Sequence, residues 1–306
     1  MTLFIIKRLL QIVPVILGVT LVVFLIMQMV PGDSAAILAG EGASKETIEQ
    51  YRQDLGLNRP IAEQYFSYVS NVFQGDFGNS LKNKQPVLDE ILLRLPITME
   101  LAFFSIMITT VLGLLAGIIS AIRPYSFRDI SVMVVALLGI SLPSFWLGLL
   151  LMYLFSVKLH WLPVAGWDSP AHMILPAVTL GLGGAAIVAR MTRSSMLEVI
   201  GQDYIRTARA KGLKEHIIIY KHALRNALIP VITVVGLQFG SLLGGTVLVE
   251  SVFAINGLGR MIVDSIRTRD IPMVQGGVLV ASLVFVFVNL LVDVLYRVFN
   301  KRIDLN

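Results

Sequence analysis

The chain has no cysteine in its 306 residues. Disulfides, thiol nucleophiles and thiolate metal sites are excluded at once. Charge is scarce as well. Asp, Glu, Lys and Arg supply 15% of the chain, where soluble domains carry about 25%. Histidine is limited to His160, His172, His216 and His222, without metal-ligand spacing. His216 and His222 would fall on different faces of a helix. No Gly-x4-Gly-Lys-Ser/Thr segment occurs, so the chain is not expected to bind ATP in the P-loop manner.

What is abundant is apolar. Hydrophobic residues make up 56% of the chain, and the mean hydropathy is +0.78. The excess lies in runs at Leu9–Val30, Thr98–Ile122, Ile130–Val157, Met173–Met191, Leu228–Val249 and Met273–Phe299. Runs of about 20 residues span a hydrocarbon core. Within lipid every backbone N–H and C=O needs an internal partner, so each run predicts a helix. Continuous rather than alternating hydrophobicity excludes a β-barrel. The expectation is an all-α polytopic membrane protein with six transmembrane helices. The first run is too long for a signal-peptide core and reads as an uncleaved span. The third contains Pro143 and reads as one tilted or kinked span.

Orientation follows from the basic residues. Lys7 and Arg8 precede the first run. With both termini cytoplasmic, the inner segments hold fifteen of the 25 Lys and Arg but only six of the 20 Asp and Glu. That asymmetry obeys the positive-inside rule. It also accounts for the pI of about 9.5 without nucleic acid as a partner. The chain divides into a first span (1–30), an extracytoplasmic segment (31–97) and a five-helix core (98–306) with a cytoplasmic loop at 192–227.

The outer segment has sequence signals of its own. Ser44 is placed to cap a helix that carries Ile48, Tyr51 and Leu55 on one face. Gly56 and Asn58-Arg59-Pro60 end it. Ile61, Tyr65, Tyr68, Val69 and Val72 predict a second amphipathic helix. Gln74 to Gly78 reads as a turn. The segment suits a cap on its own spans, or a docking surface for an extracellular substrate-binding protein.

The inner stretch from Asp203 to Pro230 is basic and polar between two apolar runs. Tyr204, Ile205, Arg206, Thr207, Ala208, Arg209, Ala210 and Lys211 predict a short helix ended by Gly212. Ile205, Ala208 and Gly212 fall near one face. The small residues Ala208, Ala210 and Gly212 would allow another protein's backbone to approach. A short rigid helix suits force received from an ATP-hydrolysing partner. The plainer alternative is a solvated loop near anionic lipid.

On the fifth run Gly236, Gly240 and Gly244 repeat every four residues, a spacing that permits close helix approach. They serve either intrachain packing or an interface with a second subunit. Gly113 and Gly117 repeat the spacing on the second run. Gln238 needs a partner or a wet cavity at mid-depth, and is a candidate for lining a path. Glu100, His172, Glu250 and Asp293 all sit near span ends. No ionisable group lies clearly at mid-depth, which weighs against proton coupling. Asp293 reads as a structural anchor near the inner surface.

The inner loop resembles that of bacterial ABC importer permeases. Arg206-Thr207-Ala208 stands where the general pattern has Glu-Ala-Ala, and Gly212 occupies its glycine. The longer form, with Arg-Thr-Ala-Arg-Ala-Lys-Gly, resembles the dipeptide/oligopeptide/nickel branch, to which glutathione importer permeases are also similar. The resemblance covers essentially the whole chain. It includes Pro31-Gly32-Asp33, Gly75-Asp76-Phe77-Gly78, Trp161-Leu162-Pro163, Ile174-Leu175-Pro176 and Val292-Asp293-Val294-Leu295-Tyr296. Two departures stand out. Asn256 replaces the usual proline before Gly257-Leu258-Gly259, and Phe299-Asn300-Lys301-Arg302-Ile303 lacks the usual Asp-Pro-Arg-Ile.

The resemblance implies the type I ABC importer permease fold in a bacterial inner membrane, with Tyr204–Gly212 as a coupling helix seated on an ATPase subunit. It implies a homologous second permease, two ATP-binding subunits that hold ATP and Mg, and an extracytoplasmic substrate-binding protein. This chain is expected to have no catalytic residue, cofactor or metal of its own. The substrate class is peptides, glutathione, nickel or metal chelates. The alternative is a gradient-driven secondary transporter, which would not depend on the loop.

Overall fold

The computed structural model describes residues 2–29, 33–40 and 42–299. Pro31, Gly32 and the 300–306 tail lie outside them, as do the side chains of Asp293, Leu295 and Tyr296. In chain order the helices are α1 (Thr2–Met29), α2 (Ser34–Ala39), α3 (Lys45–Asp54), α4 (Ile61–Phe73), α5 (Val87–Ile122), α6 (Phe127–Ser141), α7 (Ser144–Leu151), α8 (Pro170–Ile200), α9 (Asp203–Ala210), α10 (Glu215–Ile217), α11 (Leu224–Val252), α12 (Leu258–Thr268) and α13 (Ile271–Phe299). π-helical turns follow α7 (Met152–Lys158) and α10 (Ile218–Ala223).

Among the described residues four segments are long and apolar enough to cross a bilayer: α5, α8, Glu215–Leu242 and Ile271–Val292. The first run lies on α1. The third run differs from the single kinked span that its length predicts. It breaks into α6 and a second helix, Ser144–Lys158, bent by 107°. Leu142 and Pro143 both have extended ψ, 131° and 133°. Proline disfavours the helical region for the residue before it and has no N–H to continue the ladder. The result is a broken span or a re-entrant loop.

The fold comprises two compact units, Met1–Ile97 with Asn256–Val286, and Thr98–Ile255 with Phe287–Asn306. In the first, α3 and α4 form where the sequence predicts them, α3 on its Ser44 cap, and α2 precedes them as a third outer helix. Ser44 Oγ accepts the Thr47 N–H at the start of α3, and Gly56 (φ +66°) follows its end. Asp33 caps α2 through Ala35 N and also accepts a 2.5 Å bond from Arg52. Phe24 of α1 packs on Tyr65 and Tyr68 of α4. Val87, Ile91, Leu258, Met261 and Met273 form a buried cluster. Asp270, 4% exposed, accepts from Ser80 Oγ and Leu81 N and so holds the turn that precedes α5.

The second unit is built around α8, which packs on α6, α7 and α11. Its small residues allow close approach to α5 as well. A Cβ on Gly113 would stand 2.9 Å from the Ala185 carbonyl oxygen, and one on Gly181 3.0 Å from that of Ser105. Large apolar side chains such as Val111, Val135 and Phe287 are exposed, as expected on spans whose outer faces meet lipid.

Candidate functional site

The loop after α8 folds as a short helix, α9, with Asp203 in its first turn and Lys211 as its C-cap. Gly212 takes φ +77°, a left-handed conformation that glycine adopts without Cβ strain. Three attachments fix α9 to its own chain. Ile205 (0% exposed) and Ala208 (8%) enter an apolar cluster with Met196, Val199, Ile218 and Ala223. Asn226 of α11 donates a 2.7 Å bond to the Tyr204 hydroxyl. Arg209 donates through Nη2 and Nε to Glu215, at 2.7 and 3.2 Å. That hydrogen-bonded carboxylate raises the Arg209 pKa, against a smaller opposing effect of burial.

The predicted common face of Ile205, Ala208 and Gly212 is therefore divided. Ile205 and Ala208 are spent on the chain's own core, so Ala208 is not open to a partner. Tyr204, Arg206, Thr207, Arg209, Ala210, Lys211 and Gly212 are exposed. A Cβ on Gly212 would meet nothing within 4 Å. The Arg206–Asp203 pair is long, at 3.7 Å, and largely solvated, so it contributes little. The surface offered outward is a basic, polar strip on a rigid base.

The glycine stripe of α11 divides as well. Gly236 is buried, and a Cβ there would come within 2.2 Å of Val292 Cγ1 on α13. Gly240 is buried and Gly244 is exposed, with no atom of the described residues within 4 Å of a Cβ at Gly244. Packing within the chain thus accounts for Gly236, while Gly244 faces open space. Gln238 is half-buried, and its Oε1 accepts from Ser241 Oγ one turn on, at 3.1 Å. Its amide is thus served in part by its own helix.

Two groupings were not legible in the chain. Glu250 of α11 is fully buried and accepts a 2.7 Å bond from Thr98 Oγ1. Asp129, 3% exposed, accepts both Arg193 Nε and Nη2 at 2.7 Å. Ser126, three residues before Asp129 and capping α6, was the only local signal. Nothing local links Asp129 to Arg193. Among the described residues no group of three or more His, Asp or Glu is arranged to hold a metal ion.

Residues 113–305 match the family described as "Binding-protein-dependent transport system inner membrane component", and residues 1–102 match the N-terminal family of the same membrane components. The chain is 48% identical over 300 residues to the glutathione transport system permease protein GsiC of Escherichia coli (strain K12), covering 98% of each. It is also 48% identical over 298 residues to the protein of that name from Pectobacterium atrosepticum, covering 97% of each. Among solved structures, an inward-facing MetNI methionine ABC transporter chain aligns with TM-score 0.58 and 22% identity. The alignment covers 69% of this chain and 96% of that one. An amino acid ABC transporter chain aligns with TM-score 0.53 and 16% identity, over 71% and 95%. These two likenesses are of fold.

Proposed function

The chain belongs to the family of binding-protein-dependent transport system inner membrane components, and we propose that in its importer α9 is the helix through which ATPase subunits drive transport. As an ABC importer permease it is a multi-pass protein of the bacterial inner membrane. Its own role is non-catalytic. The nucleotide and Mg belong to two ATP-binding partners, since this sequence has no phosphate-cradling loop. A homologous second permease completes the path, and an extracytoplasmic binding protein delivers the solute. Near full-length similarity to glutathione permeases supports glutathione or a related small peptide as that solute.

The observation that carries the coupling role is the triple attachment of α9. A helix of eight residues is too short to hold itself in water. It is held by buried Ile205 and Ala208, by Asn226 and by Glu215, with its remaining side chains outward. A partner that pushes on Arg206, Thr207, Ala210 or Lys211 pushes on the ends of α8 and α11. The open face at Gly244 supports contact with the second permease. Gln238 remains a candidate for the path.

The test uses vesicles that hold the complete complex. Arg206→Glu with Ala210→Glu places two charges on exposed positions one turn apart and spares the buried face. The expected result is normal insertion with loss of both ATP-dependent glutathione uptake and stimulated hydrolysis. Uptake that persists without ATP, or is indifferent to these changes, would return the chain to a gradient-driven mechanism.

A further inference from the structure

We propose that Asp129 and Arg193 form a clamp that makes the α5–α6 turn move as one body with α8 and α9. The inference rests on the coupling role of α9 and assigns positioning residues to it. Motion received at α9 would then reach α5 and α6, not α8 alone.

The geometry of the carboxylate is unusually complete. Oδ1 accepts Ser120 Oγ at 2.8 Å and Arg193 Nε at 2.7 Å. Oδ2 accepts the Tyr125 N–H at 2.8 Å and Arg193 Nη2 at 2.7 Å. Its donors thus come from the end of α5, from the turn and from α8. The guanidinium engages it as a fork, which fixes orientation as well as distance. Arg193 also lies over the Tyr125 ring, 5.9 Å from its centroid. Tyr125 itself sits at φ +62°, an uncommon conformation for a residue with a Cβ, held here by its bond to Asp129.

The same two helices are locked along their length. A Cβ on Gly117 would stand 2.6 Å from the Ala189 carbonyl oxygen, so α5 and α8 meet backbone to backbone. Ala121, at the end of α5, enters the cluster that buries Ile205 and Ala208 of α9. Gly113, Gly117 and Asp129 meet α8 at Ala185, Ala189 and Arg193, and the buried cluster joins Ala121 and Met196 to Ile205 and Ala208 of α9. Breaking a buried pair by removing one partner leaves an uncompensated charge, so the link resists opening.

The experiment measures a distance. The chain has no cysteine, so Phe127→Cys (an 84% exposed site) and the exposed Gln202→Cys give this chain two unique spin-label sites. They are placed in a complex whose other chains lack reactive cysteine. The label distance should be the same in the nucleotide-free and vanadate-trapped complexes, and Asp129→Asn should make it state-dependent or broad. Arg193→Lys, which keeps the charge and removes the fork, should do so more weakly, and it decides the matter if Asp129→Asn does not assemble. Glutathione taken up per ATP hydrolysed should fall roughly tenfold in Asp129→Asn, with hydrolysis itself retained. A distance that changes between states in the unaltered clamp, or stays fixed when the clamp is removed, overturns the proposal. Failure of the α9 reading is separate: it shows as indifference of hydrolysis to Arg206→Glu with Ala210→Glu.

Discussion

A Cβ placed on Gly117 would lie 2.5 Å from Cβ of Thr192, so α5 and α8 approach as closely as only a hydrogen side chain permits. Gly117→Ala should destabilise the chain by about 1–3 kcal/mol through overpacking. Gly183→Ala, which meets nothing within 4 Å, should be nearly neutral. Thermal melting in detergent compares them, and equal loss in both would contradict this packing.

Asp270 carries the turn before α5 by accepting Ser80 Oγ and Leu81 N. Asp270→Ala leaves the Leu81 N–H without that acceptor, at a cost of about 1–3 kcal/mol. The outer loop at 78–86 should become the site of cleavage when protease is added from the outer side. An unchanged digestion pattern would show that the loop is held elsewhere.

Tyr68 of α4 has a buried hydroxyl with no hydrogen-bond partner among the described residues, and burial beside Tyr65 pushes its pKa up to about 12. Tyr68→Phe should therefore be neutral or stabilising, since it removes an unsatisfied group. The sign with pH follows from the raised value. The neutral phenol is favoured in the fold, so this contribution is intact below about pH 10 and is lost as pH rises toward 12. Melts at pH 9 and 11 should show a smaller alkaline loss in Tyr68→Phe than in the parent.

Asn226→Ala removes the donor to the Tyr204 hydroxyl. A neutral bond of this kind is worth about 0.5–1.5 kcal/mol, so the fold should persist. If the bond steadies α9, hydrogen exchange at Tyr204 to Arg206 should quicken while α8 stays protected. Exchange unchanged at α9 would assign its order to Ile205, Ala208 and the Arg209–Glu215 pair.

Local chemistry was well written in the chain. The Ser44 cap, the glycine that ends α9 and the outer helices α3 and α4 each depend on residues a few positions apart. Pro143 announced a kink in the third run but not a break of 107°, because the angle depends on Leu142 and Pro143 being extended together. The stripe at Gly236, Gly240 and Gly244 looked continuous because spacing of four nearly closes a turn. At about 100° per residue it drifts by about 40° each time, and Gly244 leaves the face on which Gly236 packs. Asp129 and Arg193 were visible only as inner charges. They are 64 positions apart, and no periodicity joins them.

The anchors of α9 stand at its two ends. Tyr204 and Arg209 are separated by about 7.5 Å of helical rise, with Ile205 and Ala208 seated between them. Pressure at right angles to the axis loads all of these supports together. Rocking the helix must instead stretch the bond to Asn226 or to Glu215. Under the proposed coupling role α9 would act like a foot planted flat, and a stroke delivered beneath it would be spent on displacing the bundle and not on turning the foot.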